Sequence, residues 1–415
     1  MTLDNPAALY EKRTQRVAQA VALQVPDRVP VMYFAMFWHA RYAGITCRDA
    51  MYDYDRLNAA MRRVLVELQP DMYALPHPMS ALGQVMETMG YRQMQWPGHG
   101  TAEDVPFQYL DREYMQADEY AEYLFDPTGF YLGKYLPRVA ERFGGLARLS
   151  DLPGQYYTML MLGMRHYADA RVVESLNAMR EAGAEARSML SSAMTFAKEM
   201  ADLGFPMSQG ASANASFDYF ADFFRGSKGI MLDMYRRKDQ LLAAMDKAGV
   251  FILRQAVAAG SRSPSRFVFI PVHWAFDGFM SLPQFRQFFW PSFRVLLIGL
   301  IDAGLIPLVL WEGDCSSRLE TIADIPRGRA VYWFERTDLV RAKAALGTEV
   351  CLRGNVPASM LVTGKPEEVD AYCRMLIEKV GRDGGLILDG AIGIPDEARP
   401  ENVQAMFAAP RKYAQ

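Results

Sequence analysis

Residues 307–314 read Pro-Leu-Val-Leu-Trp-Glu-Gly-Asp, a short apolar run that ends in two carboxylates around a glycine. Four more runs in the last third of the chain have a similar form, and helix-like stretches separate most of them. The five runs are Phe267–Pro271, Pro307–Leu310, Ala330–Phe334, Val350–Leu352 and Gly385–Leu388. Because a parallel connection needs a crossover of about a dozen residues, strands that alternate with helices predict a parallel sheet.

Polar and aromatic residues follow each of these runs. They are His273 and Asp277, Trp311, Glu312 and Asp314, Glu335, Arg353 and Asn355, and Asp389. If the sheet closes into a barrel, the carboxyl ends of all strands meet on one rim, and such barrels keep their active sites there. The pattern therefore predicts one active site at that rim.

The first part of the chain contains two more candidate strands. Residues Asn5 to Leu23 predict an amphipathic helix, and Met32–Trp38 and Met72–Leu75 are the candidate first and second strands. After the second strand, Pro76-His77-Pro78 argues against both a helix and a central strand. No linker divides the chain, so we expect a helical extension over residues 1–26 and one barrel domain over residues 27–415.

Composition narrows the class of protein and its partners. The chain has 415 residues, of which 51% are apolar and 22% are charged, and its net charge is −3. This charge gives no reason to expect nucleic acid or an anionic membrane as a partner. The four cysteines form no CxxC pair, the amino terminus lacks the pattern of a signal peptide, and no transmembrane helix is predicted. We expect a cytoplasmic protein, either monomer or homodimer.

Glu312 and His273 are the leading candidates for chemistry at the rim. Two carboxylates around Gly313 suit proton transfer or metal binding, although an ordinary polar turn would explain the same residues. His273 ends its strand and suits a role as ligand, acid or base, or as a structural histidine held by backbone groups. Asp277 lies four residues further on. His39 and His77 follow the first two candidate strands and are expected to reach the same rim.

Several segments of the second half resemble a known family. They are Arg353-Gly354-Asn355-Val356-Pro357, Gly364-Lys365-Pro366-Glu367-Glu368-Val369, Gly393-Ile394 and Pro400-Glu401-Asn402-Val403. These look like the carboxyl-terminal signature of the uroporphyrinogen decarboxylase superfamily, which also contains cobalamin-dependent methyltransferases. The resemblance implies a (β/α)8 TIM-type barrel, here with a helical amino-terminal extension and long loops. It does not fix the reaction, because one fold carries many chemistries.

The chain departs from the decarboxylase pattern at the residues that hold its substrate. The decarboxylase carries Arg-Gln-Ala-Gly-Arg after the first strand, whereas residues 36–42 here read Met-Phe-Trp-His-Ala-Arg-Tyr. The essential aspartate after the second strand is replaced by the Pro76-His77-Pro78 stretch. A substrate with eight carboxylates needs several cations, because buried charge without a partner is costly.

The chain also departs from the zinc pattern of the methyltransferases. That branch has His-x-Cys-Gly after the strand that corresponds to Pro307–Leu310, and a late cysteine. Leu310, Glu312 and Ile392 stand at those three places. Zinc is therefore doubtful, and any metal would use a different set, such as Glu312 with His273. Methyl transfer from an ether or a similar donor stays open.

We therefore expect a methyltransferase-like enzyme that moves a methyl group between a small apolar or aromatic substrate and a corrinoid, free or on a partner protein. The alternatives are a decarboxylase or other lyase, and a non-catalytic barrel that binds a tetrapyrrole or a corrinoid protein. Glu312, His273 and Asp277 are the expected catalytic residues, and they are expected to converge. The expected substrate-binding residues are Trp38, His39, His77, Trp311, Arg353 and Asn355, and an apolar mouth is expected from Phe34, Phe37, Trp38, Trp274, Trp311 and Trp333.

The missing ligands predict that this protein holds no zinc site of the methyltransferase type, since leucine and isoleucine side chains cannot bind a metal. Elemental analysis of protein purified without added metal should find no stoichiometric zinc after dialysis. Stoichiometric zinc bound through cysteine would contradict the prediction, whereas a weakly held metal on Glu312 and His273 would not.

Overall fold

The computed structural model describes residues 5–149 and 156–414, and its centre is a barrel of parallel strands. The eight barrel strands are β1 (Met32–Tyr33), β2 (Met72–Tyr73), β3 (Ala211–Ser212), β4 (Phe267–Val272), β5 (Ile306–Trp311), β6 (Val331–Phe334), β7 (Cys351–Arg353) and β8 (Leu386–Ile387). Strands β3 to β8 form one sheet in chain order, and β1 pairs with β2. All of these pairings are parallel.

Two single bridges close the sheet into a ring. Val31 bridges to Leu388 and so joins β1 to β8, and Tyr73 bridges to Met207, just before β3. The amide of Leu388 donates to the carbonyl of Pro30 at 2.8 Å, and the amide of Ser208 donates to Tyr73 at 2.7 Å. The predicted TIM-type barrel is confirmed.

The first two strands are shorter than the sequence predicts. The run that starts at Met32 leaves the sheet after Tyr33, and Trp38 begins the helix Trp38–Ala43. The expectation that the Pro76–Pro78 stretch excludes a helix is wrong, because a short helix spans His77–Ser80. A proline is tolerated in the first turn, where its missing N–H has no partner to lose.

Alternation along each strand separates the barrel interior from the layer beneath the helices. Phe269, Leu310 and Trp333 belong to the interior cluster, whereas Trp311 belongs to the outer one. The interior cluster also contains Val17, Ala20 and Val21 from the helix Pro6–Val21. This helix therefore covers the amino-terminal end of the barrel and leaves the carboxyl rim as the open end.

Helices and a small sheet surround the barrel. The three strands of the small sheet are Met94–Pro97, Gly100–Thr101 and Gln108–Tyr109. The α-helices are Pro6–Val21, Trp38–Ala43, Cys47–Tyr52, Tyr54–Leu68, His77–Ser80, Gly83–Met89, Tyr120–Phe125, Pro127–Phe130, Leu136–Val139, Tyr157–Gly163, Ala170–Asp202, Ser216–Phe220, Gly226–Arg236, Lys238–Gly260, Leu282–Gln284, Trp290–Asp302, Leu319–Ile322, Leu339–Leu346, Ala358–Thr363, Pro366–Lys379 and Pro400–Lys412. Within the described ranges, none of these helices is long and apolar enough to cross a membrane.

Asp71 joins the amino-terminal helix to the barrel. Its fully buried carboxylate accepts from Arg16 Nη1 at 2.5 Å and from both Arg28 Nη atoms at 2.8 Å. It also accepts from the amide of Val31 at 2.9 Å, directly before β1. One carboxylate thus holds the covering helix, the entry to β1 and the entry to β2 together.

We predict that Asp71→Asn lowers the free energy of unfolding by about 3 kcal/mol, because it leaves the buried Arg16 and the half-buried Arg28 without their shared anion. Urea unfolding followed by circular dichroism measures the change. Asp202→Asn is the matched control, since Asp202 is exposed and pairs with Lys198 one helical turn away. That control should cost less than ~0.5 kcal/mol, and an equal cost for the two variants would contradict the assignment.

Candidate active site

His273 follows β4 directly and points its imidazole towards the open rim. Nδ1 lies 2.7 Å from Oδ2 of Asp222, and the backbone amide of His273 donates to Oδ2 of Asp218 at 2.9 Å. About a third of the His273 side chain is exposed, at 36%. The two aspartates therefore hold the imidazole in place. It stays accessible from the open rim of the barrel, which is called the mouth below.

Asp222 fixes the orientation of that ring. It lies in the π-helical turn Ala221–Arg225, which continues the helix Ser216–Phe220 that follows β3. Its Oδ1 accepts from the indole N–H of Trp274 at 2.6 Å while Oδ2 faces His273. Since a carboxylate only accepts, Nδ1 of His273 carries the hydrogen in this contact, and Nε2 is left to face the mouth.

Nε2 of His273 faces the carboxyl group of Glu312. Glu312 follows β5, and its Oε1 lies 3.5 Å from Nε2 of His273, with 37% of the Glu312 side chain exposed. Gly313 makes the sharp turn behind it with φ of 73°, and a Cβ there would lie 2.6 Å from Phe276. The amide of Gly313 donates to Oε2 of Glu335 at 2.6 Å. Glu335, which follows β6, thus holds the turn that carries Glu312.

The electrostatics of this cluster favour protonated groups. Burial alone lowers the pKa of His273, but the hydrogen bond and charge of Asp222, with the charges of Glu312 and Asp218, raise it to about 10. Burial raises the pKa of Glu312, helped by the charges of Glu335 and Asp222 and opposed by His273. Burial beside Asp222 likewise raises the pKa of Asp218. A carboxyl group whose pKa is raised, beside an imidazole that holds its proton, is suited to act as a proton donor.

Asp277 does not join this pair, in contrast to the expected convergence of three catalytic residues. Its carboxylate accepts from the amide and the hydroxyl of Ser317, both at 3.0 Å, and lies 3.1 Å from Arg318 Nη1. Arg318 also donates to the backbone carbonyl of Ala275 at 3.0 Å. Asp277 therefore ties two rim loops together and is not directed at the imidazole.

Arg353 and Asn355 are also occupied by other contacts. Arg353 is 1% exposed, donates twice to Oδ2 of Asp389 at 2.9 and 2.5 Å, and lies over the Trp333 ring at 3.8 Å. Asn355 is buried and donates to the carbonyl of Thr337 at 2.9 Å. Arg353 packs inside the barrel, where its Nη1 has no hydrogen-bond partner among the described residues, and Asn355 braces a loop. Contact of these two residues with substrate stays a prediction.

The four other expected substrate contacts are buried in the hydrophobic core. Trp38 donates its indole N–H to Ala398, and His39 and His77 have no exposed surface. Burial lowers the pKa of His39 to about 3 and that of His77 to about 4, so both imidazoles are neutral. Trp311 points outward and packs edge-on against Phe293. These residues support the fold and do not face the mouth.

The apolar mouth is therefore smaller than the sequence predicts. Phe34, Phe37 and Trp333 are buried, and Trp274 is the member of the predicted set that keeps partial exposure. The indole of Trp274 packs on the ring of Phe279 with centroids 4.7 Å apart. An aromatic wall remains beside His273, formed from residues of one loop.

The zinc positions offer no ligand set among the described residues. Leu310 is buried in the barrel interior and Ile392 is exposed at the rim. Cys315 lies buried under the Glu312 turn, where burial raises the pKa of its thiol. In residues 5–149 and 156–414, no group of three or more His, Cys, Asp or Glu side chains is arranged to hold a metal ion. The zinc content of the protein stays a prediction.

We predict that Asp222→Asn lowers the pKa of His273 strongly, because it removes the anion that contacts Nδ1. NMR titration of the imidazole should give about 10 in the wild type. A raised pKa in the folded state adds stability fully below the unfolded value of about 6.5, and that stability is lost as the pH rises through about 10. The stability lost in His273→Gln should therefore shrink between those pH values.

Asp277→Asn is the control for this titration, because Asp277 pairs with Ser317 and Arg318 and should leave the pKa of His273 unchanged. An unperturbed His273 in the wild type, or equal shifts in both aspartate variants, would contradict the role given to Asp222.

The comparisons with known proteins agree with this architecture. The uroporphyrinogen decarboxylase (URO-D) family matches residues 164–413. The uroporphyrinogen decarboxylases of Pseudomonas paraeruginosa and Ectopseudomonas mendocina are 25% and 24% identical to this chain over 190 residues. These residues cover 45% of this chain and 51% of each relative. The chain thus spans about half the length of the curated relatives it matches.

A solved structure extends the likeness in fold to nearly the whole chain. A methyltransferase from Methanosarcina mazei superposes with a TM-score of 0.64 over 97% of this chain and 99% of that chain, at 16% identity. At that identity the likeness concerns the fold alone. Because the family match covers more than half of its residues, the chain belongs to the uroporphyrinogen decarboxylase (URO-D) family.

Proposed function

We propose that this protein is a methyltransferase that moves a methyl group between a small apolar or aromatic substrate and a corrinoid carrier. The observation that carries the proposal is the contact between His273 and Glu312 at 3.5 Å, on the open rim of the barrel. Its membership of a family of enzymes supports catalysis, and the site favours proton transfer beside an aromatic wall.

The residues of the chain supply the proton that such a transfer requires. A reduced corrinoid, when bound, would supply the electron pair of its metal centre to take up the methyl group. As the bond between the methyl carbon and the substrate oxygen breaks, Glu312 donates its proton to that oxygen, which leaves as a neutral hydroxyl. The positive charge of His273 stabilises the carboxylate left behind, and Asp222 holds the ring in place.

The charge around the mouth favours an uncharged substrate. His273, Glu335 and Asp222 lie around Glu312, and the exposed Arg336 at the rim is already paired with Glu335 at 3.3 Å. Arg353 is buried and Asp389 balances its charge, while its Nη1 has no hydrogen-bond partner among the described residues. With Glu312 protonated, the charges of His273 and Arg336 balance those of Asp222 and Glu335, so the mouth has no excess of positive charge to hold a polycarboxylate.

The aromatic side chains beside the pair fit an aromatic substrate or the face of a large ring. Trp274, Phe276 and Phe279 come from the single loop after β4 and are each partly exposed. Aromatic walls bind flat apolar groups and exclude water, which strengthens the charge effects at the pair.

An exposed apolar segment supports a protein partner. Eight large apolar residues between positions 156 and 167 are 48% to 70% exposed: Tyr156, Tyr157, Met159, Leu160, Met161, Leu162, Met164 and Tyr167. The helix that follows, Ala170–Asp202, runs about 50 Å and ends beside Arg13 of the covering helix, so this segment lies towards the rim. Large exposed apolar patches mark interaction surfaces, and a corrinoid protein is the partner that the proposed reaction requires.

The second candidate function is decarboxylation, because the named relatives are uroporphyrinogen decarboxylases. The mouth has no excess of positive charge, which argues against a substrate with many carboxylates. The two candidates differ in their products, so a single pair of assays separates them.

We predict that Glu312→Gln lowers the rate of methyl transfer from a methyl aryl ether to a reduced cobamide by a factor of ~10² or more, because it removes the general acid. The melting temperature should change little, since about a third of the Glu312 side chain is exposed. The rate is followed by the absorbance change of the cobamide. Glu320→Gln is the matched control on an exposed residue and should keep the wild-type rate.

Two outcomes would contradict the proposal. Full activity of Glu312→Gln would show that the carboxyl group is not the general acid. Coproporphyrinogen formed from uroporphyrinogen at an enzymatic rate by the wild type, with no methyl transfer, would favour decarboxylation instead.

A further inference from the structure

A cationic cavity lies at the amino-terminal end of the barrel, away from the mouth. Its volume is about 290 Å³, and five basic side chains line it: Lys12, Arg13, Arg16, Arg28 and Arg411. They come from three parts of the chain, namely the covering helix Pro6–Val21, the entry to β1 and the last helix, Pro400–Lys412. The methyl-transfer site contributes no residue to it.

Two of these arginines are neutralised by carboxylates. Arg16 contacts Asp27 and Asp71, and Arg28 contacts both oxygens of Asp71. Five cations thus face two aspartates, which leaves a clear excess of positive charge in the cavity.

Arg13 and Arg411 carry that excess without an acidic partner. Arg13 is 5% exposed, and its guanidinium donates to the carbonyl of Gly204 and to Oε1 of Gln69, both at 2.5 Å. Arg411 donates to the backbone carbonyl of Gln69 at 2.5 Å. In the described parts of the chain, neither arginine forms an ion pair.

The charged forms of Arg13 and Arg411 are both destabilised in this cavity. Burial, offset in part by the charge of Asp71, and repulsion from Arg411, Arg28 and Arg16 lower the pKa of Arg13 to about 10. Arg411 is an exposed residue, but partial desolvation and the charge of Arg28 lower its pKa as well. Neutral amide side chains would hold the same carbonyl groups without this repulsion. The positive charges therefore indicate a partner that is itself anionic.

We propose that this cavity binds a small oxyanion of the phosphate class, as inorganic phosphate or as a phosphate monoester. One guanidinium group can donate two parallel, charge-assisted hydrogen bonds to two phosphate oxygens. Several arginines that line one cavity therefore suit a dianion. Such a ligand compensates Arg13 and Arg411 and links the first helix, the last helix and the barrel. Since only the folded chain brings these elements together, the ligand stabilises the folded state.

The test uses the full chain and inorganic phosphate, with sodium chloride balancing the ionic strength. Titration calorimetry should show saturable binding, and the melting temperature should rise to a plateau. Arg411→Gln should weaken binding about tenfold or more, because a charge-assisted hydrogen bond is removed. Arg254→Gln, an exposed arginine on the helix Lys238–Gly260, should bind phosphate as the wild type does.

Lys12→Gln gives a second test should Arg411→Gln fail to fold, because Lys12 is 63% exposed on the covering helix. Parallel titrations with glycerol phosphate and with citrate separate a monoester from the free ion and from a polycarboxylate. Binding of citrate without phosphate would overturn the assignment. A linear rise in melting temperature, equal in all variants, would also overturn it, because it would be a general effect of the salt.

Discussion

The hydrogen bond between Asp222 and His273, at 2.7 Å, is the interaction on which the candidate active site depends. It joins the helical turn after β3 to the end of β4, fixes which imidazole nitrogen carries the hydrogen, and raises the pKa of the ring. Glu312 gains its charged neighbour only because Nε2 is directed towards the mouth. Without Asp222, burial would favour a neutral ring, and the pair would lose the charge that stabilises a deprotonated Glu312.

The parallel barrel explains which site residues the sequence could predict. His273 and Glu312 end long apolar strands, β4 and β5, and the ends of parallel strands meet at one rim. Strand alternation also explains the errors: Trp311 and Glu312 are adjacent in sequence but face opposite sides of the sheet. The predicted strand Met32–Trp38 fails for a different reason, since the chain leaves the sheet after Tyr33 and buries His39 in a helix.

The residues that sequence reasoning missed have no local signal. Asp218 and Asp222 lie on a short helical segment after β3, a strand of two residues that periodicity cannot detect. Their contacts with His273 span more than fifty positions in the chain. The basic cavity was missed in the same way, because Arg13 and Arg411 meet only when the two ends of the chain pack on the same face of the barrel.

The chain belongs to the URO-D family, and the proposal of methyl transfer rests on the pair of His273 and Glu312 at the mouth. The most direct measurement of the central claim is the transfer rate for a series of methyl aryl ethers whose phenols differ in pKa. If Glu312 protonates the departing oxygen, the wild-type rate depends weakly on the phenol pKa, and the rate of Glu312→Gln depends on it steeply. Equal slopes for the two proteins would contradict the account.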